Sequence, residues 1–318
     1  MAYSKEVYQA TEDRFSSLRF DAENKQITRK KEAFKAVPRL REIDKELTAL
    51  GLSLLKRAFT AENSEELVMQ VRAESEALRK EQENLLTQNG YASDYLEAHY
   101  RCPVCMDKGR TDDGYCDCFK TELKKEALKQ SEIPFMMETK SFDDFKLDIY
   151  PDEYREEMTD VYAVCKRYAQ SFAENEGESL FLYGATGVGK TFLSSCVAKE
   201  IILNGYDVVY RPAYKIFRTF ESYKFNHEDK DWAKRQIEHI TNAELLIIDD
   251  LGAEMHSAFT AEVLFDIINT RINRKQATVI STNLEFSDLE TIYSQRITSR
   301  ILGHYILLEC SGDDNREL

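Results

Sequence analysis

Residues 179–204 read SLFLYGATGVGKTFLSSCVAKEIILN. An apolar run of strand length, SLFLY, leads into a glycine-rich loop. The loop is Gly184-Ala185-Thr186-Gly187-Val188-Gly189-Lys190-Thr191, and a helix-forming segment continues from Phe192. It fits the phosphate-binding pattern G-x-x-x-x-G-K-[ST]. The glycines let the backbone turn tightly and aim its N–H groups at phosphate oxygens. Lys190 is positioned to reach the β- and γ-phosphates of ATP, and Thr191 to give its hydroxyl to Mg2+. The following helix turns its positive N-terminal end toward the same anion.

Apolar and amphipathic runs alternate on the C-terminal side of this loop. The pattern predicts strands at 207–211, 244–250 and 277–283 and helices at 213–224, 230–241 and 258–274. Such alternation predicts an α/β fold, a parallel sheet flanked by helices. The run Leu245-Leu246-Ile247-Ile248 ends in Asp249 and Asp250. Asp249 is placed to hold Mg2+ through water, and Asp250 to orient and polarise an attacking water. The 277–283 strand ends in Ser281-Thr282-Asn283. Asn283 is the expected sensor of the γ-phosphate, although asparagine at a strand end is also a common turn former. Beyond it, Arg300 and then Arg296 are candidates for an arginine that reaches a neighbouring subunit's site. That role requires an oligomer; the alternative is a plain surface arginine.

The 318 residues carry a net charge of −14, and 42% are hydrophobic. That fraction is enough for a real core and argues against wholesale disorder. No run approaches the roughly 20 apolar residues of a membrane helix. The opening MAYSKEVYQA lacks the basic-then-apolar pattern of a secretory signal. A cytoplasmic protein without membrane contact is expected. An acidic chain is a poor free-standing DNA binder, so any nucleic-acid contact must come from a local basic patch, an assembly or a partner. The stretch 211–224, RPAYKIFRTFESYK, is such a patch. Lys215, Arg218 and Lys224 alternate there with aromatic rings, a combination suited to single-stranded DNA. Phe217 and Phe220, at helical spacing, fit core packing equally well.

Residues 1–98 are rich in helix-forming types. Leu40, Ile43, Leu47, Leu50, Leu54 and Leu55 form one stripe, and Leu67, Val71, Leu78 and Leu85 a second. A helical hairpin or short bundle is expected, compatible with a partner-docking arm. Residues 99–130 contain a cysteine knuckle, 131–150 read as a linker, and 151–318 as the nucleotide-binding domain. Of seven cysteines, Cys102, Cys105, Cys116 and Cys118 crowd together. In a reducing compartment such a cluster reads as a closed, structural Zn2+ site. Reduced cysteines packed on a helix are the alternative, and His99 is close enough in sequence to replace one ligand. A redox role for Cys102 and Cys105 lacks the βαβ frame it needs.

The ordered set GATGVGKT, IIDDLGAE, STN and QRITSRILGH, over roughly 140–316, resembles the DnaC/DnaI group of bacterial helicase loaders, which includes the IstB transposition helpers. The resemblance implies an AAA+ P-loop sheet that largely lacks the helical lid. It also implies ATP and single-stranded DNA binding, and ATP-controlled delivery of a hexameric replicative helicase. A zinc-binding N-terminal domain occurs in some such loaders. Only the tail ILLECSGDDNREL follows Arg300 in this reading, with Arg316 as a possible second sensor. Most AAA+ proteins have Glu where this chain has Asp250, so slow hydrolysis is expected. A transposition helper, a nucleotide-regulated binding module and, more remotely, a small-molecule kinase are the other readings.

Overall fold

The structure is a computed structural model, and it describes residues 3–58, 64–225 and 230–314. The chain divides into two compact units, Glu12–Phe119 and Met1–Thr11 with Lys120–Leu318. Compactness therefore groups the cysteine segment with the N-terminal helices, and the first turns of the chain with residues 120–318.

The unit Glu12–Phe119 is built from helix α1 (Lys5–Ala36) beyond Thr11, helices α2 (Pro38–Ala58) and α3 (Ser64–Gln88) and a two-stranded antiparallel ribbon. Pro38 opens α2, where its missing N–H costs nothing. The first apolar stripe buries Leu40 and Ile43 completely. Ala33, Leu86 and Leu96 close around Leu40. Leu47 and Leu50 are half-buried, and Val71 of the second stripe is buried. The side chains of Leu54, Leu55 and Leu67 lie outside the described residues. Arg39 joins α2 to α3 through Glu81 at 2.8 Å and also meets Glu46 at 2.7 Å. All three groups are substantially exposed, so this network adds little stability.

The other unit holds a five-stranded, all-parallel sheet in the order β4-β5-β6-β3-β7. Its strands are β3 (Ser179–Tyr183), β4 (Val208–Pro212), β5 (Leu245–Leu251), β6 (Ala277–Thr282) and β7 (Tyr305–Glu309). The ribbon strands are β1 (Arg110–Thr111) and β2 (Gly114–Tyr115), and α4 spans Asp117–Gln130. Helices α5 (Asp152–Gln170), α6 (Lys190–Leu203), α7 (Ala213–Phe225), α8 (Lys230–Asn242) and α9 (Ala258–Asn273) alternate with the sheet strands. Nearly every residue of β3, β5 and β6 is buried, as expected for strands covered on both faces.

The expected strands and helices of this region are present with ends shifted by a residue or so. One element escaped the sequence reading. After α10 (Phe286–Tyr293) and α11 (Gln295–His304), the start of the stretch read as a tail forms β7, which pairs in parallel with β3. The segment 131–150, expected as a linker, folds into three short 3-10 turns and buries Phe142 and Tyr150. Tyr3 is also buried, and its hydroxyl donates to the Ile202 carbonyl at 2.6 Å near the end of α6. Arg316 lies outside the described residues.

Arg271 of α9 is fully buried. Its guanidinium donates to Thr278 Oγ1 at 3.0 Å and to the carbonyls of Ile240, Thr241, Ala243 and Ala277. It thus collects the carbonyls at the end of α8 and the starts of β5 and β6. Burial draws its pKa down to about 10, which still leaves it charged at neutral pH. Arg271→Leu strands these acceptors in the core. A loss of about 3 kcal/mol or more is expected in urea unfolding.

Candidate nucleotide site and cysteine knuckle

The glycine-rich loop joins the end of β3 to the first turn of α6. Gly184 has φ +135°, and a Cβ there would lie 2.1 Å from the Cys310 carbonyl oxygen. Only glycine lets the loop start this close to the end of β7. Val188 is fully buried, and its carbonyl accepts from the Tyr150 hydroxyl at 3.0 Å. Phe145 stands between Tyr150 and Phe192, with ring centroids 5.8 and 5.5 Å away. The Asp314 carboxylate lies beside Gly187.

Lys190 is nearly buried, and its Nζ donates to the carbonyls of Gly184 at 2.8 Å and Ala185 at 2.6 Å. Thr186, Gly187, Gly189, Lys190, Thr191 and Phe192 line a cavity of about 190 Å³. Asp250, Ser281 and Asn283 close its other side. The structure therefore brings together the loop, the second acid and the expected sensor.

The two adjacent acids take different positions because the strand is irregular. The β5–β6 register shifts between Ile248 and Leu251, and Asp250 has φ +55°. Aspartate tolerates this left-handed conformation better than most residues. Asp249 stays buried while Asp250 is exposed to the cavity. Asp249 accepts from Thr191 Oγ1 at 3.2 Å and from the Tyr210 hydroxyl at 2.7 Å. Ser281 Oγ donates to the same carboxylate and accepts from Asp250 N at 3.0 Å. Thr191 and Asp249 thus meet as a Mg2+-binding pair requires. Tyr210, Ser281, Phe145 and Tyr150 were not among the expected site residues. Ser281 was legible as a polar residue next to the chosen Asn283. Tyr210 read only as a strand aromatic.

Arg296 and Arg300 do not line this cavity. Arg300 donates through Nε to Asn269 Oδ1 at 2.9 Å, and its guanidinium lies 4.5 Å from the centre of the Phe265 ring. Arg296 is exposed one turn earlier on α11.

The basic patch is only partly open. Lys215 and Arg211 both bind Glu132 at 3.0 Å. Lys224 lies over the Phe259 ring, 4.6 Å from its centre. Arg218 lines a groove of about 290 Å³ with Tyr214 and Trp232, both half exposed. Phe217 is buried in the core, and Phe220 packs against it. Those two rings therefore serve packing.

The four clustered cysteines do converge. Their Sγ atoms all lie within 4.8 Å of one another. Cys102 and Cys116 are 3.9 Å apart, and Cys105 and Cys118 3.5 Å. Thiolates bound tetrahedrally at about 2.3 Å from zinc are separated by about 3.8 Å, so the arrangement fits the ion. His99 stands apart from this cluster, paired with Asp94 at 3.1 Å. Asp107 accepts from the backbone N of Arg101 and Cys102, each at 2.8 Å, which braces the first thiol pair. Gly109 has φ +72°, and a Cβ there would lie 2.5 Å from the buried Phe119 ring. Tyr115 stacks on that ring at 4.8 Å, and Phe15 packs at 5.1 Å.

A glycine-rich loop between strand and helix, facing a carboxylate strand end on a parallel five-stranded sheet, defines a P-loop nucleotide-binding domain. The chain belongs to the IstB-like ATP-binding protein family, whose profile matches residues 124–316. Among relatives, the replicative helicase loader DnaC of Buchnera aphidicola subsp. Baizongia pistaciae is 27% identical over 158 residues, 49% of this chain and 63% of that protein. The chain thus matches somewhat less than two thirds of that relative's length. The IS21 insertion-sequence ATP-binding protein of Pseudomonas aeruginosa is 24% identical over 194 residues, 59% of this chain and 68% of that protein. The crystal structure of a DnaC helicase loader is 23% identical, with a TM-score of 0.46, and the match covers 54% of this chain and 96% of that one. Among the described residues no helix is long and apolar enough to cross a membrane.

Replacing Lys190 with Ala removes the charge that completes the phosphate cradle. Mg-ATP affinity, read by calorimetry, is expected to fall about 100-fold. The knuckle is tested by elemental analysis of the purified chain. Stoichiometric zinc is expected in the native protein and its loss in Cys102→Ser, with ATP binding retained.

Proposed function

We propose that this chain is an ATP-dependent loader of a hexameric replicative DNA helicase. The observation that carries the reading is one chain holding an ATP site of this family and a separate helical unit with a four-thiol knuckle. The relatives named as helicase loaders support it. The ATP-binding core alone does not separate a loader from a transposition helper, because IS21 proteins share it. A long helical unit of its own suits a chain that grips a second protein.

In this reading residues 151–318 form the ATPase domain and 1–98 the partner-binding region, with the knuckle at 99–130 between them. Zn2+ held by Cys102, Cys105, Cys116 and Cys118 supplies folding energy to a segment with a small core. Thr191 and Asp249 hold Mg2+, which neutralises charge on the phosphates. Gly184 through Phe192 cradle the nucleotide, and Phe145 and Tyr150 wall its approach. Asp250 orients the attacking water, and Asn283 senses the γ-phosphate. An aspartate reaches less far than a glutamate, so ATP hydrolysis is slow. Arg300, with Arg296 beside it, serves the site of a neighbouring copy in an ATP-dependent oligomer. Both arginines lie off their own cavity, as a residue acting in trans must. Lys215, Arg218 and Lys224, repeated around such an assembly, give an acidic protein a local hold on single-stranded DNA. The protein works in the cytoplasm.

Light scattering after size-exclusion chromatography, with the replicative helicase of the same organism and Mg-ATP, tests the proposal. A stable complex is expected. A complex with the cognate transposase, and none with the helicase under any nucleotide, would overturn it in favour of the transposition helper.

A further inference from the structure

We propose that Tyr210 is a positioning residue of the ATP site, which aims the Asp249 carboxylate at the metal position and locks β5 to the phosphate-loop helix. The proposal rests on the reading of Thr191 and Asp249 as the Mg2+-binding pair. Three features of the structure carry it.

Tyr210 is fully buried, yet its hydroxyl is far from idle. A buried phenol requires a hydrogen-bond partner, and here the partner is Asp249 Oδ2 at 2.7 Å. The strand register explains the meeting. Tyr210 pairs with Ile247, and Pro212 with Asp249, so Tyr210 and Asp249 are diagonal neighbours on one face of the sheet.

The carboxylate oxygens are divided between their partners. Tyr210 holds Oδ2, while Thr191 and Ser281 bind Oδ1. Fixing Oδ2 sets the rotation of the carboxylate. Oδ1 is then kept on the side of Thr191, where the metal's ligands must gather.

The phenol oxygen also meets α6. The hydroxyls of Ser194 and Ser195 lie 3.4 and 3.3 Å from it. Lys190 and Thr191 stand on the first turn of the same helix. Tyr210 therefore ties the acidic strand to the helix that carries the phosphate-binding side chains.

Tyr210→Phe keeps the ring and its packing and deletes only the donor. The test measures affinity for a fluorescent ATP analogue in excess EDTA and across a Mg2+ titration, with a thermal melt as the folding control. Affinity in EDTA is expected to stay as in the native chain, while the Mg2+ concentration needed for tight binding rises about tenfold. In an Asp249→Asn background the same substitution is expected to leave the Mg2+ titration unchanged, because the residue acts through that carboxylate. An unaltered Mg2+ titration in Tyr210→Phe would overturn the role. Equal weakening with and without Mg2+ would overturn it too, since that is the signature of packing alone. A native chain whose ATP binding ignores Mg2+ would instead refute the metal-site reading itself.

Discussion

Strand β3 is hydrogen-bonded on both edges, to β6 from Leu180↔Val279 to Tyr183↔Thr282 and to β7 from Ser179↔Tyr305 to Tyr183↔Glu309. All these pairings are parallel, so the strands end at the same edge of the sheet. The phosphate loop leaves β3 at that edge. Ser281 and Asn283 leave β6 beside it, and Cys310 follows β7 on the other side. The Cys310 N–H donates to the Tyr183 carbonyl at 2.7 Å, extending the ladder up to the loop itself. A slip of one residue in either pairing would turn the polar strand ends into the core.

On this frame the site solves an electrostatic problem with neutral groups. Asp249 is a carboxylate with almost no access to water, and burying such a group without partners is costly. Among the described residues its partners are the hydroxyls of Thr191, Tyr210 and Ser281 rather than a lysine or arginine. A salt bridge would cancel the negative charge that a metal ion needs. Hydroxyl donors satisfy the oxygens and leave that charge available. Lys190 also donates to neutral acceptors, the carbonyls of Gly184 and Ala185.

The knuckle relies on a different source of order. Two short strands of two residues each, the buried rings of Phe119 and Phe15 and a glycine pressed against Phe119 make a very small core. Four thiols within 4.8 Å of one another give a metal ion a ready seat. Metal ligation by these thiolates would supply to such a segment what apolar burial supplies to the five-stranded sheet.

Much of the ATPase unit was legible because its signals are local. The phosphate loop is contiguous, its glycines and lysine have a fixed spacing, and strand and helix periodicities announce the alternation around it. The convergence of the four cysteines was foreshadowed by their crowding in sequence. Tyr210 and the division of the Asp249 oxygens among three hydroxyls were not legible. They depend on strand register and on a bulge, which bring together residues dozens of positions apart and turn their side chains. β7 escaped for a related reason. YILLE is a short apolar run at the end of a polar stretch, and only the free edge of β3 makes it a strand. The sequence by itself determined the glycine-rich loop between strand and helix, the α/β class and the thiol cluster, since each is written in adjacent residues. The tertiary structure alone decided which hydroxyls hold the acid and which carboxylate faces the cavity, because side-chain direction follows from pairing between distant strands.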